Sequence, residues 1–231
     1  MKKSHSLGLT KIKNVDFRQF ENIESKEIAY ILGLLWADGH VTFANNKAKT
    51  PIIKHNSKPE DNFIFLDIFN KTGKWNTFTS KNIGTFSTGN NYISTNWVSS
   101  RLIGEFLIDN DYRNKTKSPD KIINKIPDDL RRFWFMGFFD GDGSVTIIKN
   151  GHHSVAFTSD KNQDWKFMIN LFESININGY KIRIQSTKYG SRSQIRITNK
   201  LDIIKFDQYL YQDADDNIGL KRKKGRFRVI Y

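Results

Sequence analysis

Two apolar segments of the chain have nearly the same pattern and end in the same way. Residues 31–39 read ILGLLWADG and residues 135–143 read FMGFFDGDG. In each segment small residues recur four apart, which places them on one face of a helix, and an acidic residue followed by glycine ends the run. The pattern predicts two buried helices that each end in a carboxylate, Asp38 in the first and Asp142 in the second.

The similarity continues after these segments and predicts a tandem repeat. Each apolar helix is followed by a strand-like stretch, a second helical segment, further strands and a last amphipathic helix. The copies lie about 103 residues apart, because 61–69 matches 164–172 at this distance and ISTN at 93–96 matches RITN at 196–199. This period is too long for a solenoid repeat. It predicts two α/β subdomains related by pseudo-two-fold symmetry.

Helix start signals define the predicted boundaries of the two subdomains. Ser25 is a suitable N-cap for the first apolar helix, and Pro127 begins the second. The prediction is a leader at 1–24, a first subdomain at 25–115, a linker at 116–126 and a second subdomain at 127–231.

The small residues of the two helices predict how the carboxylates meet. If the helices pack through these small faces, their C-termini lie side by side and the two acids project from one end. Two carboxylates held close repel each other and also face the negative ends of the helix dipoles, so a divalent cation would relieve both costs. The alternative is a pair of ordinary core helices whose terminal acids match by chance. The candidate metal residues are Asp38, Asp142 and the glycines that follow them, Gly39 and Gly143.

The charge of the chain indicates the class of partner. The 231 residues carry a formal net charge of +13, and the 37 Lys and Arg residues are spread along the sequence. Such a charge favours a polyanion such as nucleic acid, although a basic protein can also be simply soluble. With no cysteine, disulfides and thiolate metal sites are excluded. No apolar run reaches the ~18–20 residues that span a bilayer, so we expect no membrane association.

Two segments of the second half predict a nucleic-acid-binding ribbon. In KIRIQS at 181–186 and RSQIRIT at 192–198, basic and amide side chains alternate with isoleucines, which we expect to be buried. A two-stranded ribbon fits the major groove, where Arg reads guanine and Gln reads adenine. A generic amphipathic sheet would also alternate, but these strands contain no acid. The candidate DNA-binding residues are Lys181, Arg183, Gln185, Arg192, Gln194 and Arg196, with Lys74, Asn76 and Lys81 in the first half.

The two apolar segments, with IPDDLRRFWFMGFFDGDGSV around the second, resemble the signature motifs of the LAGLIDADG homing endonucleases over roughly residues 25–225. The resemblance implies two αββαββα halves, joined through the motif helices, whose antiparallel sheets form a DNA-binding saddle. It further implies a single-chain monomer that binds a long, partly asymmetric duplex site and hydrolyses one phosphodiester on each strand. The expected cofactor is Mg²⁺, with Mn²⁺ or Ca²⁺ able to substitute in binding.

The resemblance also assigns roles to single residues. Asp38 and Asp142 would bind the metals, whereas Asp140 holds a motif position that is not a ligand, and Trp36 stands at that position in the first repeat. A lysine near the end of each repeat would support catalysis. Lys115 fits this role in the first half; in the second half Lys223 and Arg222 are both candidates, and any of these residues could instead contact phosphate. By the repeat distance, Asn56 and Ser159 correspond as residues that orient water.

Two other functions remain compatible with the sequence. Some relatives are RNA maturases that assist intron splicing and can keep the acids, so structured intron RNA is an alternative partner. Others are DNA-binding regulators that do not cleave, but those usually lose the motif acids that this chain retains.

Overall fold

The structure is a computed structural model that describes residues 15–43, 50–81, 92–147, 153–188, 190–212 and 217–230. The first half consists of α1 (Arg18–Glu21), α2 (Lys26–Asp38), β1 (Gly39–Phe43), β2 (Pro51–Ser57), α3 (Pro59–Asn70), β3 (Asn76–Lys81), β4 (Tyr92–Ser99) and α4 (Arg101–Asp109). The second half consists of α5 (Asp120–Ile123), α6 (Asp128–Asp142), β5 (Gly143–Ile147), β6 (His153–Asp160), α7 (Lys166–Ser174), β7 (Tyr180–Thr187), β8 (Gly190–Ile197), α8 (Lys200–Tyr211) and α9 (Lys221–Phe227).

Each half folds as αββαββα, which confirms the predicted α+β fold. The two four-stranded sheets are antiparallel and have the same strand order, β1-β2-β4-β3 and β5-β6-β8-β7. Their registers correct one detail of the repeat. Ile53 pairs with Val98 in the first sheet and Val155 pairs with Ile197 in the second, so Val98 corresponds to Ile197. The predicted match of ISTN with RITN is therefore wrong, because the halves differ in loop length before these strands.

The motif helices α2 and α6 pack through their small residues, as predicted. A Cβ atom on Gly33 would lie 1.9 Å from the carbonyl oxygen of Trp134, and one on Gly137 would lie 2.1 Å from that of Tyr30. Only glycine permits this backbone approach. Ser25 begins α2 as predicted, since its Oγ accepts a hydrogen bond of 3.2 Å from the backbone N–H of Ile28.

One face of each sheet packs on helices. In the first sheet, the ring of His55 lies 4.9 Å from that of Phe65 on α3, and in the second, the ring of Phe157 lies 6.0 Å from that of Phe206 on α8. Side chains on a strand alternate between faces, so the neighbouring residues point away from these helices. We call this second side of each sheet the open face.

The predicted leader and linker both contain helices that pack on the core. Phe20 of α1 is fully buried, and the ring of Phe17 lies 6.3 Å from that of Phe106. Residues 1–14 of the leader lie outside the described residues. In the linker, Ile122 and Ile126 are buried. In the part of the chain that the structure describes, no helix has the length and apolar character needed to span a membrane.

Candidate active site

The two motif helices end beside each other, and a lysine caps each of them. In the first half, Nζ of Lys115 donates hydrogen bonds of 3.2 Å to the carbonyl oxygen of Ala37 and of 2.5 Å to that of Gly39. An ammonium here satisfies the free carbonyls at the end of α2 and interacts favourably with the negative end of its dipole. Lys115 is therefore held next to Asp38, the last residue of that helix.

Lys223 occupies the equivalent place at the end of α6. Its Nζ donates hydrogen bonds of 2.7 Å to each of three carbonyl oxygens, those of Phe139, Asp140 and Gly143. Arg222 points elsewhere, since its guanidinium binds the carboxylate of Asp61. Of the two candidates in the second half, Lys223 is thus the one that lies at the end of the motif helix, opposite Lys115.

The carboxylates sit in surroundings that oppose their charge. Burial, and after it the nearby Asp38 carboxylate, raise the pKa of Asp142 to about 7 against the opposing effect of Lys115 and Lys223. Burial also raises the pKa of Asp38, while Lys115 and Lys223 lower it. Conversely, burial lowers the pKa of each lysine to about 8, although the acids favour its charged form. The four groups therefore form one coupled set.

Asp38 and Asp142 lie close enough for their charges to interact. Asp38 reaches across the helix interface, because its Oδ2 lies 3.1 Å from the position that a Cβ on Gly141 would occupy. Among the described residues there is no group of three His, Cys, Asp or Glu side chains that could hold a metal ion. A bound cation would thus need oxygens from outside this set. Two carboxylates with raised pKa values fit a divalent cation completed by phosphate oxygens and waters, which is the ligand set that Mg²⁺ prefers.

The predicted glycine ligands have another role in the structure. The carbonyl oxygens of Gly39 and Gly143 each accept a hydrogen bond from a lysine Nζ. Neither glycine has the left-handed backbone that often ends a helix, since φ is −76° at Gly39 and −79° at Gly143. They are needed for close packing instead, because a Cβ on Gly39 would lie 2.3 Å from the carbonyl oxygen of Leu35.

Asp140 is engaged within the helix interface. Its Oδ2 accepts a hydrogen bond of 2.7 Å from the Tyr30 hydroxyl of the other motif helix and one of 2.8 Å from the backbone N–H of Leu220. At the pseudo-symmetric position, Trp36 packs with its ring 6.4 Å from that of Trp134. The role of Tyr30 could not be predicted from the sequence, because its partner lies 110 residues away.

A cavity of about 270 Å³ adjoins Asp38 and extends toward the first sheet. It is lined by Asp38, Asn56, Ser57, Lys58, Asp61, Phe65, Ile93, Asp140, Gly141, Arg222 and Lys223. The predicted residue Asn56 thus lies beside the site, and its Oδ1 accepts a hydrogen bond of 2.8 Å from the Thr95 hydroxyl on the open face.

Ser159 does not correspond to Asn56, which corrects the prediction. In the first sheet Asn56 pairs with Thr95, and in the second Thr158 pairs with Gln194 at the matching position. Ser159 is one residue further along β6 and points to the helix-packed face. A shift of one residue on a strand always exchanges the two faces. The counterpart of Asn56 is therefore Thr158, whose hydroxyl accepts a hydrogen bond of 3.2 Å from Gln194.

In the second sheet, the six predicted DNA-binding residues share the open face. They form three directly opposed pairs across β7 and β8: Lys181 with Arg196, Arg183 with Gln194, and Gln185 with Arg192. The expected burial of the isoleucines holds only for β8. Ile195 and Ile197 are buried, but Ile182 and Ile184 of the edge strand are 45% and 67% exposed. β7 lies at the edge of the sheet, where its isoleucine face is only partly covered by the described residues.

The first-half candidates do not all lie on one face. Asn76 pairs with Trp97 on the open face, whereas Lys81 is five residues along β3 and points to the opposite face, where it pairs with Tyr92. Lys74 precedes the strand. The open face also presents Phe78, a residue that the sequence analysis did not select, with 49% of its surface exposed.

Comparisons with known proteins agree with this geometry. Residues 129–211 match a family model described as a LAGLIDADG-like domain. No curated protein matches the sequence. Among solved structures, the chain is similar to a lysine-to-alanine mutant of I-SmaMI, with 16% identity, 87% of this chain and 88% of that chain covered, and a TM-score of 0.55.

Two further solved structures are similar over comparable lengths. The homing endonuclease I-WcaI bound to its DNA recognition sequence is 14% identical, with 93% of this chain and 88% of that chain covered and a TM-score of 0.54. The I-LtrWI LAGLIDADG homing endonuclease bound to target DNA is 14% identical, with 89% of both chains covered and a TM-score of 0.50. The predicted resemblance is thereby confirmed: the second half carries a LAGLIDADG-like domain, and the chain shares the fold of these LAGLIDADG endonuclease structures along most of its length.

Proposed function

We propose that the protein is a site-specific endonuclease that binds double-stranded DNA as a monomer and cleaves both strands. The observation that supports this most directly is the pairing of Asp38 and Asp142 at the ends of two packed helices, each with a lysine at the helix end. The DNA-bound structures of similar fold support duplex DNA as the substrate.

In this proposal the open faces hold the duplex over the site. The Arg, Lys and Gln side chains of β7 and β8 would contact base edges and phosphates in the major groove. Asn76 and Lys74 would act in the first half. Lys81, which points to the other face, is the weakest of the predicted contacts. The net charge of +13 favours the approach of a polyanion.

The residues at the site would divide the chemistry of phosphodiester hydrolysis. Asp38 and Asp142 would hold the cofactor, for which we propose Mg²⁺, with Mn²⁺ or Ca²⁺ able to occupy the same oxygens. When bound, such a metal supplies charge that polarises the phosphate and activates water. Lys115 and Lys223 lie beside the acids and would stabilise negative charge that develops on the phosphate oxygens. Asn56 and Thr158, on the open faces, are suited to orient water.

A selection from a randomised duplex library tests this function. Cleaved products recovered in the presence of Mg²⁺, and absent with a chelator, would give the target and the positions of both cuts. Asp38→Asn and Asp142→Asn should abolish cleavage and retain binding, because each removes a ligand charge at nearly constant side-chain size. Asp128→Asn is the matched control, since Asp128 lies exposed at the opposite end of α6.

The same experiment separates the alternatives. Specific binding without cleavage by the unmodified protein would indicate a DNA-binding regulator and would contradict the endonuclease. Preferential binding to structured intron RNA over every duplex would indicate a maturase. Cleavage by either Asn variant at the unmodified rate would contradict the assigned metal site.

A further inference from the structure

The helix that presents Lys223 depends on its contacts with the rest of the protein. α9 has seven residues with the sequence KRKKGRF, in which five side chains are cationic. A helix this short is not stable alone, and like charges three or four apart destabilise it further. Tertiary contacts must therefore set the position of α9 and of its lysine.

One of these contacts crosses from the second half to the first. The guanidinium of Arg222 donates to both carboxylate oxygens of Asp61, with Nε 2.8 Å from Oδ1 and Nη2 2.5 Å from Oδ2. The Asp61 side chain is only 6% exposed and lies in the first turn of α3. A bidentate pair of this kind fixes orientation as well as distance. Its arginine directly precedes Lys223, whose Nζ enters the ring of carbonyls at the end of α6.

In the first half, the residue that corresponds to Arg222 has different contacts. Lys115 is preceded by Asn114, and Asp164 takes the place of Asp61 in the repeat. The asparagine side chain is uncharged, so it cannot form a bidentate ion pair with a carboxylate. Here the backbone N–H of Asp164 donates a hydrogen bond of 2.8 Å to the carbonyl oxygen of Thr116, while the Asp164 carboxylate accepts one of 2.9 Å from the backbone of Lys166. The two lysines are thus equivalent at the site but not in what supports them.

We propose that Asp61 and Arg222 are positioning residues for Lys223, so that a contact from the first half sets the lysine of the second half. The inference rests on the proposed endonuclease function and adds a prediction about its two cuts. Asp61, Arg222 and Lys223 line the same cavity as Asp38, so a displacement of α9 would reach the site directly. Lys115 has no such dependence. Loss of the ion pair should therefore impair one strand cut more than the other.

Cleavage measured separately on each labelled strand tests this inference. Lys115→Met and Lys223→Met first identify which strand depends on each lysine. Asp61→Asn should then slow the strand that depends on Lys223 by about tenfold or more, since small displacements of catalytic groups have effects of this size or larger. The other strand should keep its rate, so nicked DNA accumulates. Asp164→Asn, the matched control from the repeat, should produce no such bias.

Arg222→Lys distinguishes orientation from charge. It keeps the cation but cannot form the two parallel hydrogen bonds, so it should resemble Asp61→Asn. A double variant that combines Asp61→Asn with Arg222→Lys should cut that strand no more slowly than either single variant, because both substitutions remove the same contact. Equal slowing of both strands by Asp61→Asn would overturn the inference.

A second measurement does not require DNA cleavage. Reductive methylation followed by mass spectrometry reports how accessible each lysine Nζ is in the free protein. Lys223 is 7% exposed, so its labelling should be slow in the unmodified protein and several-fold faster in Asp61→Asn, with Lys115 unchanged. If the unmodified protein cuts no DNA, the proposed function fails and this labelling still decides the positioning role. Equal labelling of Lys223 in both proteins would overturn it.

Discussion

At the scale of single residues, the raised pKa of Asp142 links the site to the stability of the metal-free protein. In the unfolded chain the Asp142 carboxyl has its ordinary pKa of 3.8, but in the folded protein its pKa is about 7. Between these values the free energy of unfolding falls as pH rises, and above pH 7 the full loss remains. The charged Asp142 therefore destabilises the folded state at neutral and alkaline pH.

Asp142→Asn should remove this loss and stabilise the metal-free protein. We expect a gain of at least about 1 kcal/mol at pH 8, or ~2–4 °C in Tm for a chain of this size, and a smaller gain at pH 5. Thermal unfolding in the presence of a chelator at the two pH values measures it. Asp128→Asn, at the exposed end of the same helix, is the control. A gain of equal size at both pH values would contradict the assigned pKa.

Residues of the site were predictable where the repeat displayed them and not where tertiary contacts decide. Asp38 and Asp142 end the two matching apolar segments, and the family resemblance supplied Lys115. Lys223 and Arg222 are neighbours, and the sequence does not state which side chain turns toward α6. Asp61 was missed altogether because its partner lies 161 residues away.

At the scale of secondary-structure elements, the two faces of β7 give a matched pair of variants. Arg183 points to the open face beside Gln194, and Ile184 points to the opposite face while being 67% exposed. Arg183→Ala should cost about 1–3 kcal/mol at one base pair and relax preference at that position. Ile184→Ala should leave the specificity profile unchanged. Uniform loss of affinity in Arg183→Ala, with base preference retained, would show that the arginine contacts only phosphate.

The first sheet offers an apolar contact on its open face. Phe78 is 49% exposed there, and the 5-methyl group of thymine is the apolar feature of the major groove. We expect replacement of one thymine by uracil in the first half-site to weaken binding by the unmodified protein and not by Phe78→Ala. Tyr92→Ala is the control, because Tyr92 is similarly exposed but lies on the other face. An equal uracil effect in all three proteins would contradict the contact.

Alternation along a strand predicts which residues share a face, but not whether another element covers that face. The six polar side chains of β7 and β8 were grouped correctly for this reason. Ile182 and Ile184 were expected to be buried, yet they are largely exposed on β7, which is the edge strand of its sheet. The error at Ser159 has a related origin, since one residue of difference between the repeats was invisible without the strand register.

At the scale of the whole molecule, the excess positive charge predicts a strong dependence of binding on salt. If the duplex brings ~6–10 phosphates into contact with Lys and Arg, log Kd should change with log salt concentration with a slope of about 5–9. Titrations at several salt concentrations measure this slope, and Lys181→Ala should reduce it by about one unit if Lys181 meets a phosphate. A nearly flat dependence would argue against nucleic acid as the partner.

The overall architecture could be predicted best, because the same pattern of elements occurs in both halves of the sequence. Two copies of one motif, at the same place in each half, predicted two similar subdomains joined through the motif helices. The short helices that precede the motif helices were not predicted. Phe20 in α1 and Ile122 in α5 lie at equivalent places before α2 and α6, but with four residues each these helices have too little apolar periodicity to be recognised.

The contacts of the motif helices also determine which helix can pair with which. Tyr30 meets Asp140 at one end of the interface, while Trp134 meets Trp36 at the other. Two copies of the second half would place each Asp140 against Trp134 in place of Tyr30, so each carboxylate would lose the hydrogen bond from the tyrosine hydroxyl and keep only the one from Leu220. Two copies of the first half would place each Tyr30 against Trp36, so the tyrosine hydroxyl would have no Asp140 carboxylate to which it could donate. Two halves of the same fold have thus become unlike parts, each of which fits the other better than it fits a copy of itself.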